Sequence, residues 1–370
     1  MGLMGIYILS SRNVLIPTIT IHVVYFITSF FILKIFKKFP YIPVVCSIVS
    51  ILSIQFYLNE EAYSSVHGSL MIMSMKMISL AFEKKYSFFD VYGYIFSPGT
   101  LIYGPFVTLA QHNESYGINF FSKIHIPILA FILSTSFLIL SHYVPNELEF
   151  LNWYNILIQY KTAASFRYSH YFISYISLSL ASLSGIKIDQ VSLWLKVEIP
   201  RSMMNVACYW NIPMHIFFHT CNKKYFIDIY KNLKQYNNFM AVILTFVFSS
   251  MLHGFNFQLT AVLISIGINA SVESKLRNKL SKKFDCCCKS RECLENCEHS
   301  NKYFSLRTII INTVFLLLNI YHLIYLGAPF DDSYEGGRYT INHTLNVWSQ
   351  QFYFISPILT LIVILITYIF

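Results

Sequence analysis

Charge is what this 370-residue sequence has least of: Asp, Glu, Lys and Arg together make up only 12% of it. No ordinary soluble domain covers its surface with so little, and the remainder explains why. Hydrophobic residues make up 55% of the chain and aromatics 17%, so the sequence reads as a polytopic membrane protein. Other absences narrow the class further. The sequence has no Ser-His-Asp nucleophile elbow, no histidine-rich zinc motif and no glycine-rich phosphate loop. It has no cleavable signal peptide of the usual pattern, no internal repeat and no inverted repeat of the transporter kind. The net charge of +9 does not point to nucleic acid, because the basic residues lie in short clusters beside apolar runs. Examples are "KIFKKF" at 34–39, "EKKY" at 83–86 and "ESKLRNKLSKK" at 273–283.

The apolar runs predict spans at 14–36, 41–58, 64–82, 124–143, 171–186, 239–256, 257–271, 308–327 and 352–370. The first is long enough to cross and remain in the membrane. Shorter apolar pieces lie near 91–110, 150–160, 191–198 and 209–220. The expected fold is all-α, a polytopic bundle with roughly nine to eleven crossings at ~20 residues each. Short and re-entrant pieces are tolerated at membrane depth only where protein shields them, which implies an internal cavity. One integral-membrane domain, 1–370, accounts for the whole chain. Within it, 272–307 carries Lys275, Arg277, Lys279, Lys282, Lys283, Lys289, Arg291, Lys302 and Arg307. The loop at 328–345 has only Arg338 against Asp331, Asp332 and Glu335. The first loop is therefore expected in the cytosol and the second in the lumen. The sequon Asn342-His343-Thr344 agrees with that side.

Several motifs stand out from the apolar background. "CCCKSRECLENCEH" sets Cys286, Cys287, Cys288, Cys293, Cys297 and His299 close together. Stable disulfides are disfavoured in a cytosolic loop. Structural zinc and reversible S-acylation both remain open, although the spacing matches no standard zinc pattern. The cluster reads as structural or regulatory, and no cofactor is expected for catalysis. "SPGTLIYGPF" at 97–106 concentrates Gly and Pro in an apolar setting and predicts a buried re-entrant turn. Lys76 is expected to snorkel toward the interface. Glu198 and Arg201 are a candidate ion pair.

His253 lies in "SSMLHGFNFQLTAVLIS" and Asn211 in "WNIPMH", both in apolar surroundings. Taken singly, each has a plain structural role: a hydrogen bond to a neighbouring helix for His253, a helix cap for Asn211. Together, inside a bundle with broken helices, they suit acyl transfer from an activated donor. A histidine can take the proton of an attacking hydroxyl, and an amide can hold a reactant or donate to the developing oxyanion. Ser249 lies four residues before His253 and would share its helix face. Trp210 adjoins Asn211 and could wall an acyl or CoA channel.

The pieces "MKMISLAFE" (75–83), "PGTLIYGPF" (98–106), "RYSHYFISYISL" (167–178), "VEIPRSM" (197–203), "WNIPMH" (210–215), "MLHGFNFQLTAVLIS" (251–265) and "YHLIYLG" (321–327) carry a resemblance over most of the chain. In this order, the sequence resembles the membrane-bound O-acyltransferases, and among them the branch that modifies secreted Wnt proteins. The resemblance implies a helical bundle around a central tunnel in the endoplasmic reticulum membrane. It implies palmitoleoyl-CoA as donor, a Wnt serine as acceptor and contact with membrane lipids. It places the family's histidine on His253 and its asparagine on Asn211. The polar segment 222–238 between them is expected to be a loop. A lysophospholipid acceptor is the nearest alternative, and a transporter or receptor using His253 in a proton relay or ligand pocket is the alternative from another class.

Overall fold

A computed structural model of the chain describes residues 15–83, 86–115, 124–147, 155–224, 238–293, 297–331 and 340–370. Helices dominate these residues, and no strand occurs among them; a single bridge pairs Cys286 with Asn301. The helices α1 (Leu15–Ile35), α2 (Tyr41–Tyr57) and α3 (Glu60–Leu80) open the bundle. Three short helices follow: α4 (Phe88–Ile95), α5 (Pro98–Leu101) and α6 (Leu109–Glu114). A long hairpin, α7 (His125–Glu147) against α8 (Asn155–Leu183), precedes α9 (Trp194–Glu198), α10 (Met203–Tyr209) and α11 (Ile212–Lys224). The chain continues through α12 (Asn238–Leu252), α13 (Phe257–Phe284) and α14 (Leu306–Gly327). It ends with α15 (Ile341–Asn346), which runs on through a π turn at Val347–Gln351, and α16 (Ile355–Ile369). Most of the segment 222–238 lies outside the described residues.

The bundle exposes apolar side chains and buries polar and charged ones among its apolar core. Val24, Ile27 and Phe31 of α1, Ile128 and Ile132 of α7, and Leu361 and Leu365 of α16 are exposed. His22, Ser69, Ser74, Lys76, Arg167, Glu273 and Arg277 are buried. This distribution suits a hydrocarbon solvent, in which every polar group must find a partner within the protein. It also explains why apolar length undercounts the long helices. Among the described residues, four helices are long and apolar enough to cross a membrane, or five if α15 and α16, bent by 71°, form one span. The long helices α3 and α8 are not among them: their serines, His170, Lys76 and Arg167 face neighbouring helices rather than lipid.

Helix starts follow local chemistry. Asn59 caps α3 by accepting from Ala62 N–H at 3.0 Å, and Ser87 with Asp90 closes a reciprocal capping box on α4. The 97–106 turn is largely buried, as predicted, with Thr100 and Leu101 fully enclosed and Pro98 and Tyr103 exposed. Its anchor corrects the expectation for Lys76. Lys76 does not reach an interface; its Nζ donates to the Tyr94 carbonyl at 2.7 Å and to Thr100 Oγ1 at 2.8 Å, over the Tyr94 ring. A cation at 0% exposure needs such fixed oxygens, and the broken chain at α4–α5 provides them.

The expected Glu198–Arg201 pair does not form. Glu198 is held by Arg167, with Nε–Oε1 at 2.8 Å and Nη2–Oε2 at 2.9 Å, and by the Tyr171 hydroxyl at 2.8 Å. Arg201 donates instead to the carbonyls of Lys289 and Cys287. A forked guanidinium on α8 offers the carboxylate two parallel bonds, a geometry that a residue three positions along a broken helix does not supply. The sequon also differs from a simple surface loop. Asn342 is exposed, but Thr344 is fully buried and its hydroxyl donates to Gln258 Oε1 at 3.3 Å.

Candidate active site

Four residues, His253-Gly254-Phe255-Asn256, separate α12 from α13. Gly254 turns the chain at φ +78°, a left-handed conformation that glycine enters without strain. A Cβ there would come within 2.5 Å of the Tyr63 hydroxyl and 2.8 Å of Gln55 Oε1. Phe255 N–H donates to Gln55 Oε1 at 2.6 Å, and Gln55 Nε2 donates to the Phe255 carbonyl at 3.0 Å. The Gln55 amide on α2 thus satisfies both backbone groups of one turn residue. Asn256 then starts α13 by accepting from Leu259 N–H at 3.1 Å.

His253 sits where this turn leaves α12, its N–H on the Ser249 carbonyl at 3.3 Å. Its ring lies 6.4 Å from that of His67, centroid to centroid. Among the described residues, no hydrogen bond is made to the His253 ring, so the imidazole is not used as an internal tie.

A cavity of 460 Å³ opens against the turn. That is within the range of about 300–1,000 Å³ typical of small-molecule sites. His253, Asn211 and His170 all line it. One wall is the small, polar face of α3, with Ser64, Ser65, Gly68 and Ser69, giving way to Met71, Ile72 and Met75. The buried turn adds Ile102, Pro105 and Phe106, and α8 adds Ile173, Ser174 and Ser177. Polar and apolar surfaces therefore meet in one space, as a ligand with a reactive head and an apolar tail requires.

Asn211 has the capping role expected of it and also lines the cavity. Its Oδ1 accepts from Met214 N–H at 3.0 Å and starts α11. A backbone N–H can only donate, so the amide oxygen is committed to the cap and Nδ2 is left as a donor on the cavity wall. His170 is likewise oriented. Its Nε2 lies 2.9 Å from the Trp210 carbonyl, which can only accept, so the proton sits on Nε2 and Nδ1 is the basic nitrogen.

Trp210 and Ser249 were expected to line the cavity, and neither is among its lining residues. Trp210 stands behind His170, stacked on its ring at 4.2 Å and 11°, with Phe166 further along. Ser249 is buried one turn back in α12. The helical bond from His253 N–H to the Ser249 carbonyl carries the turn of α12 up to His253, but of the two only His253 reaches the cavity wall. His170 was overlooked in the sequence, yet it carried a signal. His170, Ser174 and Ser177 recur at i, i+4 and i+7 and form a polar stripe on one side of α8.

No protein-family model matches the chain. Curated relatives do match. The protein-serine O-palmitoleoyltransferase porcupine of mouse is 28% identical over 337 residues, covering 79% of this chain and 71% of its own length. The human porcupine matches to the same extent, and that of Anopheles gambiae is 29% identical over 355 residues, covering 80% and 70%. The chain is a relative of the porcupines. With its apolar-faced helices, this porcupine relative is a multi-pass membrane protein. Shares of 79–80% of the chain mean that the relationship extends through most of the bundle, well beyond a single motif.

Proposed function

We propose that this porcupine relative is a protein-serine O-acyltransferase of the endoplasmic reticulum membrane, moving a palmitoleoyl group from acyl-CoA to a serine of a secreted Wnt protein. The observation that carries the reading is the pairing of an uncommitted imidazole, His253, with the amide donor of Asn211 on one cavity, in a chain related to enzymes of that name.

In this mechanism the serine hydroxyl enters from the lumenal side and the thioester from the cytosolic side, the two meeting in a tunnel through the bundle. His253 takes the hydroxyl proton as the serine oxygen attacks the thioester carbonyl. Asn211 Nδ2 donates to the oxyanion that develops. The tetrahedral intermediate collapses with loss of the CoA thiolate, which takes the proton back from the imidazolium. The products are a serine ester and free CoA, and no redox partner or metal takes part. The charge asymmetry on either side of α14 supports a cytosolic side for residues 272–307, which form the end of α13 and the loop after it, and a lumenal side for Asn342. The helices α3 and α8 then cross the membrane despite their polar faces, shielded by their neighbours.

The test uses purified protein, palmitoleoyl-CoA and a serine peptide of Wnt sequence, with product read by mass spectrometry. Esterified peptide is the expected result. Acylation of a lysophospholipid and not of the peptide would replace the acceptor, and transfer to neither would remove the reading.

Gln55 gives a prediction of its own. Gln55→Ala removes both bonds that hold the His253 turn, and a misplacement of about 1 Å costs up to about 10²-fold in rate. We expect kcat to fall with KM for acyl-CoA little changed. Because Gln55 acts through the turn, Gln55→Glu, which keeps the acceptor for Phe255 N–H, should fall between wild type and Gln55→Ala. An unchanged kcat in Gln55→Ala would mean that the turn holds itself.

A further inference from the structure

We propose that Cys287, Cys293, Cys297 and His299 form a structural zinc site on the face of the protein that carries the basic end of α13 and the loop after it. This inference does not depend on the acyl-transfer reading.

The four side chains converge. Cys287 Sγ lies 3.3 Å from Cys297 Sγ and 3.8 Å from His299 Nδ1, and Cys293 Sγ lies 3.8 Å from the same nitrogen. All four donor atoms fall within 4.8 Å of one another. A tetrahedral zinc with bonds of about 2.3 Å to sulfur and about 2.0 Å to nitrogen has edges of about 3.5–3.8 Å. The two sulfur–nitrogen separations of 3.8 Å already lie in that range, and the 3.3 Å sulfur pair must open by about 0.5 Å to reach the sulfur–sulfur edge of about 3.8 Å. No separation exceeds 4.8 Å, so the others need contract by at most about 1 Å. The sequence hid this because five, three and one residues separate successive ligands, unlike the usual paired spacing.

The surroundings set the chemistry of the histidine. The Ser281 hydroxyl donates to the Cys286 carbonyl at 2.7 Å, so its oxygen is free to accept from His299 Nε2, 3.2 Å away. The ring proton therefore belongs on Nε2, and Nδ1 presents its lone pair to the sulfurs. A hydrogen bond of this kind from the far ring nitrogen fixes the tautomer and orientation of a ligating imidazole. The backbone is fixed as well. Cys287 N–H donates to the Asn301 carbonyl at 2.9 Å, its own carbonyl accepts from Arg201 Nη2 at 2.8 Å, and the Tyr303 hydroxyl donates to the Cys293 carbonyl at 3.1 Å. Three thiolates and one Zn²⁺ carry a net negative charge, and the Arg201 guanidinium lies beside the cluster to balance it.

Other fates of these cysteines fit less well. S-acylation needs a sulfur directed toward lipid, whereas Cys287 is fully buried and its sulfur points into the cluster. A disulfide would use two of three converging thiols and leave the histidine without a role. Three sulfurs and one imidazole nitrogen in a closed tetrahedron are the donor set of structural zinc.

The site has a mechanical consequence. The 284–305 loop grips the segment ahead of Asn211: Lys196 pairs with Glu292 at 2.9 Å, and Ser202 Oγ donates to the Ser290 carbonyl at 3.1 Å. Metal binding would set the shape of this loop and, through α10, brace the wall that presents Asn211.

The full-length chain, purified without chelators, is expected to hold one zinc per chain by elemental mass spectrometry. Exchange with Co²⁺ should give the intense visible bands of a tetrahedral thiolate site. Cys293→Ser/Cys297→Ser should abolish both signals, whereas Cys208→Ser, outside the cluster, should keep them. If the double variant does not fold, X-ray absorption on the wild-type protein decides, with three sulfur and one nitrogen neighbours expected. The proposal is overturned by wild-type protein without stoichiometric metal or a cobalt spectrum, by cluster variants that keep their zinc, or by intact masses with hydroxylamine-labile acyl groups on these cysteines.

Discussion

His253→Ala is expected to lower acyl transfer by about 10²–10⁴-fold while the protein still folds and inserts. The reasoning rests on where the ring stands. It sits in the break between α12 and α13, on the cavity wall, and among the described residues it makes no hydrogen bond that its loss would leave unsatisfied. Truncation should therefore cost chemistry far more than stability. Single-turnover transfer to the peptide, measured beside thermal unfolding of the same preparation, separates the two. Transfer at the wild-type rate would refute the assignment of His253 as base, and a collapsed melting curve would make the residue structural. Asn211→Ala cannot give so clean a result, because it removes a helix cap as well as a cavity donor.

The opposite pattern is expected at Arg277, where a change far from the cavity should cost about 3–5 kcal/mol of stability. Arg277 has no exposed surface and binds four partners: Glu273 at 2.6 Å, the Cys288 carbonyl at 2.7 Å, Asn312 at 2.9 Å and the Arg201 carbonyl. Glu273 also accepts from Met203 N–H at 2.8 Å and Asn319 Nδ2 at 3.1 Å. Arg277→Met leaves that carboxylate buried without its cation, and the loss of α10, α13 and α14 contacts follows from it. The double variant Glu273→Gln/Arg277→Met removes the stranded charge and should regain part of the loss. Equal melting temperatures for the single variant and the wild type would show that the network contributes little. Failure of the double variant to recover would point to packing over Phe315, 4.2 Å from the guanidinium, as the larger effect.

Much of this molecule was legible in its sequence, and the exceptions share a cause. Apolar runs located most of the long helices, and Pro98, Gly99 and Pro105 announced the buried turn, because hydrophobicity and backbone preference act locally. The runs fell short of two helices: α8 begins sixteen residues before the 171–186 run, and α13 continues thirteen residues past 271. His253 and Asn211 announced themselves as polar residues in apolar surroundings. What escaped was partner choice across sequence. Lys76 has the pattern of a snorkelling lysine until Tyr94 and Thr100 are folded over it. Glu198 has a basic residue three positions away, yet Arg167, thirty-one positions back, supplies the better fork. Gln55 is a polar residue in a largely apolar helix, and only the fold brings it to the turn it holds, 200 positions along the chain. The zinc-like cluster was visible as composition and hidden as geometry.

The burial of Lys76 also constrains how the chain is made. On insertion scales, a charged residue costs about 2.5–3.5 kcal/mol at the centre of a helix and less near its end, where Lys76 lies four residues before Leu80. Leaving the translocation channel by itself, α3 would therefore meet a reduced but unfavourable cost of release into lipid. Its two oxygen partners are synthesised 18 and 24 residues later, in α4 and α5. The helix is therefore expected to linger at the channel until the turn behind it emerges, and to enter the bilayer as part of a preassembled unit. A nascent chain stopped just after α3 should remain crosslinkable to the channel, and one extended through Leu101 should not.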